Sequence, residues 1–327
     1  MKAFIDIPKE LILFIQSGSK FIIAGHREPD GDCIGSQLAL CSILTRMGKE
    51  ATACSAGPFK RAETASYANQ FKAIPDDRDK ANARLILVDC SEHERTGDLE
   101  PHIRGLPTAV IDHHATAITF PATEKLPYYI DPAAPSVTLM IFSLADSLGI
   151  ELTKKEAELL LLGLCTDTGF FRHIEKNSAE IFRKTAELLK TEVSLKKIYH
   201  AIYGGKSINS RIMLGRVLSR AKMFFNKRLI ITYEKYEDIK ELGIESRDSE
   251  ALYQQLQSVT GAEVIAFIRQ ENENHCSVGL RSHDEIDVGF IAGELGGGGH
   301  KHASGFNMDG DITLVQNLIL EKFRKLL

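Results

Sequence analysis

Several features are scarce in this 327-residue sequence, and each shortage excludes a class of protein. Positive charge is not in excess: 40 Lys and Arg stand against 44 Asp and Glu, for a formal net charge of −4. A protein that grips long nucleic acid through many phosphates needs a broad basic surface. Long duplex DNA is therefore excluded as a partner, whereas a small anion held by a few local cations is not. Paired cysteines are missing too. The six cysteines, at 33, 41, 54, 90, 165 and 276, show no CxxC spacing and several lie inside apolar runs. That pattern predicts buried, reduced thiols in a cytoplasmic protein rather than a disulfide framework. No apolar run approaches the roughly 18 residues a membrane span needs, so no membrane partner is expected. The opening MKAFIDIPKELILFIQSGSK interrupts its hydrophobics with Asp6, Lys9 and Glu10, which predicts an amphipathic helix and no signal peptide. Internal repeats and low-complexity tracts are absent apart from GELGGGGH.

What remains is ordinary globular composition, 43% apolar and 26% charged, in a length that suggests about two domains. The runs FIIAG (21–25), ATACS (51–55), RLILVDC (84–90) and PTAVIDHH (107–114) are short and almost continuously apolar. Such runs suit strands covered on both faces. Between the first two, CIGSQLALCSILTRMG has helical spacing, with Gly48 as its C-terminal cap; PSVTLMIFSLADSLG follows with Ser136 as N-cap, then TKKEAELLLLGLCTDTG. This rhythm predicts an α/β protein with an N-terminal parallel sheet flanked by helices. From 176 to 222 the pattern is helical and charged, interrupted at Gly204 and Gly205. After it RLIITYE, EVIAFIRQ and HCSVGLRS read as strands, with helices near 246–258 and 312–326. We expect an N-terminal domain over 1–190, a helical linker over 191–214 and a smaller C-terminal α+β domain over 215–327.

Four places end an apolar run with side chains able to bind metal. In GHREPDGD, His26, Asp30 and Asp32 follow FIIAG, and Pro29 and Gly31 predict that a loop presents them. Asp89 closes LILVD, Asp112, His113 and His114 close AVIDHH, and Asp167 stands in LCTDTG. In a parallel sheet the carboxyl ends of the strands open on one crevice, so the fold itself gathers three of these clusters. For any one Asp, a helix cap or turn is the ordinary explanation. Four such endings in order point to a metal site. Five Asp and three His crowded together repel unless cations neutralise them. Two divalent ions would do so, and mixed oxygen and nitrogen ligation suits Mn²⁺, with Mg²⁺ or other divalent ions as alternatives.

The order GHREPDGD, LVDCS, IDHHA, TDTG resembles the four motifs of the DHH phosphoesterase superfamily, which includes RecJ-type exonucleases. In the second half GGGGHKHASG resembles the glycine-rich histidine motif of the associated C-terminal domain. Size and both motif sets resemble the bacterial bifunctional oligoribonucleases that also dephosphorylate adenosine 3′,5′-bisphosphate. The resemblance implies that His26 and Asp30 ligate one ion, that Asp32, His113 and Asp167 ligate the other, and that Asp89 bridges them. It implies that His114 lies near the scissile phosphate and that Asp112 orients the cluster from behind. The implied chemistry is hydrolysis of a phosphate ester by a water activated between two ions.

Four consecutive glycines, 296–299, read by themselves as a flexible loop. With His300 following and Arg281 on the strand GLRS, they become a candidate phosphate or base clamp. In the family, the arginine and the glycine-loop histidine contact substrate, which implies substrate binding by Arg281, Gly297, Gly298, Gly299 and His300. His302 either alters substrate choice or faces solvent. Arg95, in SEHERTG, resembles a residue of the oligoribonuclease branch that touches a terminal phosphate, and Arg172 has similar standing. Phe170 and Phe171 either stack on a base or pack in the core. His93 and Glu94 carry no assigned role, and His102, His173, His200, His275 and His283 read as surface or structural residues.

The expected substrate is a very short oligoribonucleotide or linear dinucleotide, in a crevice between two domains, with removal of phosphate from adenosine 3′,5′-bisphosphate as a coexisting activity. A cyclic-dinucleotide phosphodiesterase is the alternative, and a nucleotide sensor without catalysis is the alternative of another class. Inorganic pyrophosphatase is disfavoured, because its C-terminal domain lacks a GGGGH loop. Family members are often dimers, so a homodimer is a further expectation.

Overall fold

The computed structural model describes residues 6–114, 127–174, 177–283 and 286–327. The chain divides into two compact units, Met1–Gly205 and Lys206–Leu327. In the first unit the labelled elements are α1 (Lys9–Ser17), β1 (Lys20–Ala24), α2 (Gly31–Arg46), β2 (Glu50–Cys54), the single-turn helices α3 (Ala62–Ala65) and α4 (Asp77–Lys80), and β3 (Arg84–Val88). After these come α5 (Glu100–Ile103), β4 (Thr108–Asp112), β5 (Tyr128–Ile130), α6 (Val137–Ser147), α7 (Lys154–Asp167), α8 (Ser178–Leu189) and α9 (Leu195–Tyr203). The sheet order is β2-β1-β3-β4-β5, and every pairing is parallel.

The apolar runs are explained by where alternate residues go. Phe21, Ile23, Ile86, Val88, Ala109 and Ile111 enter a core that holds α2, α6 and α7. Ile22, Ala24, Leu85, Leu87 and Val110 enter a separate cluster on the opposite face. With both faces covered, neither set has to be polar. Ser136 caps α6 by accepting the Leu139 N–H, as its position predicts. The amphipathic helix expected at the start is α1, of which Leu11 and Ile15 are buried; residues 1–5 of that expectation lie outside the described residues. The three-residue strand β5 was too short to show a period in the sequence.

One expectation is corrected. Asp32 is not on a loop: α2 begins at Gly31, and Asp32 occupies its first turn. Pro29 ends nothing because it precedes the cap. Asp30 is the N-cap, its Oδ1 accepting the N–H groups of Asp32 and Cys33 at 3.1 and 3.0 Å.

The second unit contains α10 (Ile208–Ser219), β6 (Lys222–Phe224), β7 (Leu229–Glu234), α11 (Tyr236–Leu242), α12 (Ser249–Gln257) and β8 (Val264–Asn272). It continues with β9 (His275–Ser282), α13 (Val288–Glu294), β10 (Gly298–His300), β11 (Ala303–Asp309) and α14 (Ile312–Phe323). Its sheet runs β10-β11-β9-β8-β7-β6, antiparallel except for the β7–β8 pair. Helices α10 to α12 pack on one face through Met213, Val217, Leu252 and Tyr253, and α13 and α14 on the other through Val288, Ile291, Val315 and Ile319. Among the described residues of either unit, no helix is long and apolar enough to cross a membrane, and all six cysteines are unpaired.

Helix α2 passes close to α7 only because residue 35 is glycine. A β-carbon at Gly35 would stand 2.5 Å from the Leu159 carbonyl oxygen, a backbone atom that cannot swing aside. Gly35→Ala is therefore expected to destabilise the protein by about 1–3 kcal/mol. Gly215→Ala, on α10 with nothing within 4 Å of its β-carbon, should be neutral or stabilise by roughly 0.5–1 kcal/mol. Denaturant midpoints of the two variants check both signs.

Candidate metal centre

The clusters that end the strands meet at the carboxyl edge of the first sheet. Among these groups the ligand atoms of three triplets lie within 4.8 Å of one another: His26, Cys33 and Asp89; Asp89, His113 and His114; and Asp32, His113 and Asp167. Asp89 and His113 each belong to two triplets, so the site is one continuous cluster. Asp89 follows β3 with a left-handed backbone, φ 58°, while its N–H still bonds to Ile111 O at 3.0 Å. An unstrained residue would not hold that position; such conformations persist where the surroundings enforce them.

Each imidazole is aimed by a contact on its far nitrogen. His26 Nδ1 bonds to Arg27 O at 2.8 Å and its Nε2 lies 3.3 Å from Asp89 Oδ2 and 3.8 Å from Asp30 Oδ1. His113 Nδ1 bonds to Ala134 O at 3.2 Å, with Nε2 at 3.1 Å from Asp167 Oδ2 and 3.6 Å from Asp89 Oδ1. A carbonyl accepts only from N–H, so Nδ1 carries a proton, and it is Nε2 whose lone pair faces inward once the ring gives up its second proton. His114 is turned the other way: its Nδ1 bonds to Asp112 Oδ1 at 2.7 Å, and Oδ1 also accepts the His114 N–H at 3.2 Å.

Asp32 is fully buried at the N-terminus of α6. Its Oδ2 accepts the Val137 N–H at 2.6 Å, and its Oδ1 accepts Thr138 N–H and Oγ1–H at 2.9 and 2.6 Å. These donors fix the carboxylate and leave lone pairs toward His113 and Asp167.

The electrostatics are those of too much negative charge in too little water. Burial pushes Asp32 well above the carboxylate range, and repulsion from Asp167 and Asp89 adds to it. Burial likewise lifts Asp89 to about 6, although the His26 contact opposes it. Burial works against charge on the imidazoles, but their carboxylate neighbours outweigh it: Asp167 and Asp32 hold His113 up at about 10, and Asp30 and Asp89 raise His26. Asp30 goes the other way, down to about 2: burial pushes it up, but the His26 bond and charge, the Cys33 N–H and Arg61 together outweigh it. Asp112 is lowered for the same kind of reason, by His114 against burial.

Asp89 Oδ1 is the atom that decides how to read this cluster. It is buried and has no hydrogen-bond partner. A buried carboxylate oxygen without a hydrogen-bond partner is costly unless a cation completes it, so this donor set fits hard or borderline divalent ions held by oxygen and imidazole nitrogen.

The geometry corresponds to a known family. Residues 20–164 match the model of the DHH family, N-terminal domain, and residues 226–327 that of the DHHA1 domain. The chain belongs to the DHH family of phosphoesterases. It is 32% identical over 311 residues to the bifunctional oligoribonuclease and PAP phosphatase NrnA of Thermus thermophilus, covering 93% of this chain and 89% of that one. It is 29% identical over 159 residues, 47% of this chain and 50% of the other, to a probable manganese-dependent inorganic pyrophosphatase of Exiguobacterium. In fold it is similar to an exopolyphosphatase-related protein from Bacteroides fragilis, at TM-score 0.82 and 23% identity over 99% of this chain and 98% of that one.

The remaining sequence candidates of this DHH chain separate into several environments. Arg95 gives its carbonyl to the Arg27 N–H at 2.7 Å, and its side chain is exposed. Arg172 is exposed, with Nη2 3.2 Å from His173 Nε2. Phe170 and Phe171 sit half-buried in a left-handed turn after Asp167, their rings against Tyr199, Tyr203 and Phe182. Glu94 pairs with Arg104 at 2.6 Å and His275 with Asp309 at 2.8 Å, both surface pairs. In the second unit the glycine run is not a flexible loop: Gly298–His300 is strand β10, paired with Ala303–Gly305. Register places Arg281 opposite Ala303, and Ala303 opposite His300, so Arg281 and His300 share one row of one face. His302 is tied to Ser282, whose Oγ lies 3.2 Å from its Nδ1. Sequence reasoning overlooked Cys33, whose thiol is buried against His26 and Asp89, and Arg61, 3.9 Å from Asp30 Oδ2. Cys33 looks like an ordinary core residue in sequence, and Arg61 stands in a motif-free segment.

The charge balance predicts how the ion-free protein responds to pH. The folded-state pKa of His113, about 10 against an ordinary 6.5, contributes stability that is complete below pH 6.5 and is lost as pH rises through 10. Asp89, raised to about 6 from 3.8, acts in the same direction between pH 4 and 6. Melting temperature in chelator should therefore fall from pH 6.5 upward, and millimolar Mn²⁺ or Mg²⁺ at pH 8 should raise it again. Thermal scans across pH with and without the ions check this; a flat profile would show that the cluster does not carry this charge.

Proposed function

We propose that this DHH protein is a divalent-metal-dependent phosphoesterase that hydrolyses very short oligoribonucleotides to mononucleotides and removes a phosphate from adenosine 3′,5′-bisphosphate. The observation that carries the proposal is the partnerless Oδ1 of Asp89, a residue shared by two of the three ligand triplets. Similarity to the Thermus oligoribonuclease and PAP phosphatase supports the substrate class, and similarity to the manganese-dependent pyrophosphatase supports Mn²⁺.

In this reading His26 and Asp30 would hold one ion, Asp32, His113 and Asp167 would hold the other, and Asp89 would serve both. Bound divalent ions supply an activated water and neutralise charge on phosphoryl oxygens. The protein's own groups do the rest. Asp112 stays ionised and keeps the proton on His114 Nδ1, which leaves Nε2 as the atom that exchanges a proton with the phosphate group or its leaving oxygen. The His114 side chain is 36% exposed, enough to reach a substrate. Arg281, His300 and the backbone of Gly297, Gly298 and Gly299 bind the nucleotide, and Arg95 contacts a terminal phosphate. With no broad basic surface and free cysteines, the protein acts on short substrates in the cytoplasm.

Purified protein with Mn²⁺ and a labelled diribonucleotide, adenosine 3′,5′-bisphosphate or a cyclic dinucleotide is the direct test. We expect hydrolysis of the first two, loss of turnover in Asp89→Ala with an unchanged circular dichroism spectrum, and a roughly 10–100-fold loss in Asp112→Asn through the freed His114. Hydrolysis of the cyclic dinucleotide alone would reassign the substrate. Hydrolysis of none would make the protein a nucleotide sensor.

A further inference from the structure

Cys33 is the member of the metal cluster that the reading above does not use. It follows Asp32 in the first turn of α2 and is fully buried. Its sulfur and ligand atoms of His26 and Asp89 all lie within 4.8 Å of one another. The sequence makes room for this approach. A β-carbon at Gly25 would stand 2.2 Å from Cys33 Sγ, so the residue before His26 has to lack one. Among the described residues none of the other five cysteines belongs to such a triplet.

The thiol is also oriented. Gln37, one turn further along α2, donates its amide hydrogens to Ile23 O at 3.1 Å and to Cys54 O at 2.9 Å. That fixes its Oε1, to which Cys33 Sγ–H donates at 3.6 Å. With the hydrogen on Gln37, the sulfur lone pairs are left for the other directions, among them that of His26 and Asp89. A buried cysteine by itself is ordinary core. Here its neighbours are the groups that lack a partner or point inward. Asp89 is 2% exposed and carries the oxygen that no donor reaches. His26 has Nδ1 committed to Arg27 O, which turns Nε2 toward Asp89 and Asp30. An imidazole, a carboxylate and a thiol at these separations are the donor types of zinc sites.

We propose that Cys33 supplies a sulfur ligand to the ion that His26 and Asp30 would share with Asp89, so that this position prefers Zn²⁺ or Co²⁺ to Mg²⁺. Soft thiolate donors favour such ions over those that take only oxygen. The inference rests on the reading that divalent ions fill this centre, and it names which kind one position takes. Coordination breaks the S–H bond: sulfur keeps the electron pair and bonds to the ion through it, and the proton passes to solvent. Only the long contact to Gln37 is given up. The Asp32, His113 and Asp167 triplet holds no sulfur, so the two positions differ in preference, and the second keeps to Mn²⁺ or Mg²⁺.

The full chain, stripped with chelator and saturated with Co²⁺, tests the proposal without substrate. Dialysis with elemental analysis reports whether the ion binds, and a near-ultraviolet thiolate-to-cobalt charge-transfer band reports a sulfur ligand. We expect the wild type to bind Co²⁺ and show the band, Cys33→Ser to bind Co²⁺ without it, and Cys165→Ala, changed elsewhere in the core of the first unit, to keep it. Bound Co²⁺ without the band in the wild type, or a band that survives Cys33→Ser, overturns the proposal and leaves the metal centre standing. No bound Co²⁺ in the wild type overturns both. In competition titrations the ratio of Zn²⁺ to Mg²⁺ affinity should fall about tenfold or more in Cys33→Ser; an unchanged ratio overturns the proposal. If Cys33→Ser melts below the assay temperature, X-ray absorption of the zinc-loaded wild type decides: a sulfur scatterer bonded to the ion supports the proposal, and a shell of nitrogen and oxygen alone overturns it.

Discussion

The buried Asp89 carboxylate, with one oxygen that no donor reaches, is the constraint on which the first unit depends. A charge in that position is tolerated only if its surroundings are prepared for a cation. The preparation is visible at every step outward. Two imidazoles have their outer nitrogens tied to carbonyl oxygens, so their inner nitrogens cannot turn away. One carboxylate is pinned by the N-terminus of α6, and another doubles as the cap of α2. Stability is given up locally in exchange for a cluster that ions can complete.

This arrangement explains why the fold has to be a parallel sheet with tight helices. Parallel strands end side by side, so groups at 26, 89 and 112–114 become neighbours across a few ångströms although far apart in the chain. Helix α2 then has to approach α7 closely enough for Asp32 and Asp167 to join them, and a glycine at 35 removes the atom that would prevent it. The all-apolar strands follow from the same design, since helices and loops cover both faces.

The second unit uses a different solution for a different task. Its antiparallel pairings set residues directly opposite one another, which brings Gly279, Gly305 and Gly298, far apart in the chain, into one row of one face. The GGGGH run contributes a strand to this face rather than a loose loop. A β-carbon at 297 or 299 would strike the backbone of β11, so glycine there is a requirement of strand approach.

The metal-ligand candidates were legible in sequence because each stands at an abrupt change from apolar to titratable residues, and a parallel sheet converts that change into a place. The helix cap at Ser136 is likewise local, set by the Leu139 N–H three positions away. Other features depended on partners distant in sequence and had no local trace. That Asp32 sits in a helix and is held by Val137 and Thr138, that Phe170 and Phe171 meet the rings of Tyr199, Tyr203 and Phe182, and that Arg61 approaches Asp30 all required the tertiary structure. Chain order determined which groups the protein carries and roughly where they surface; only the folded packing decided which of them keep an unmet charge, because that depends on how many neutralising neighbours arrive from elsewhere.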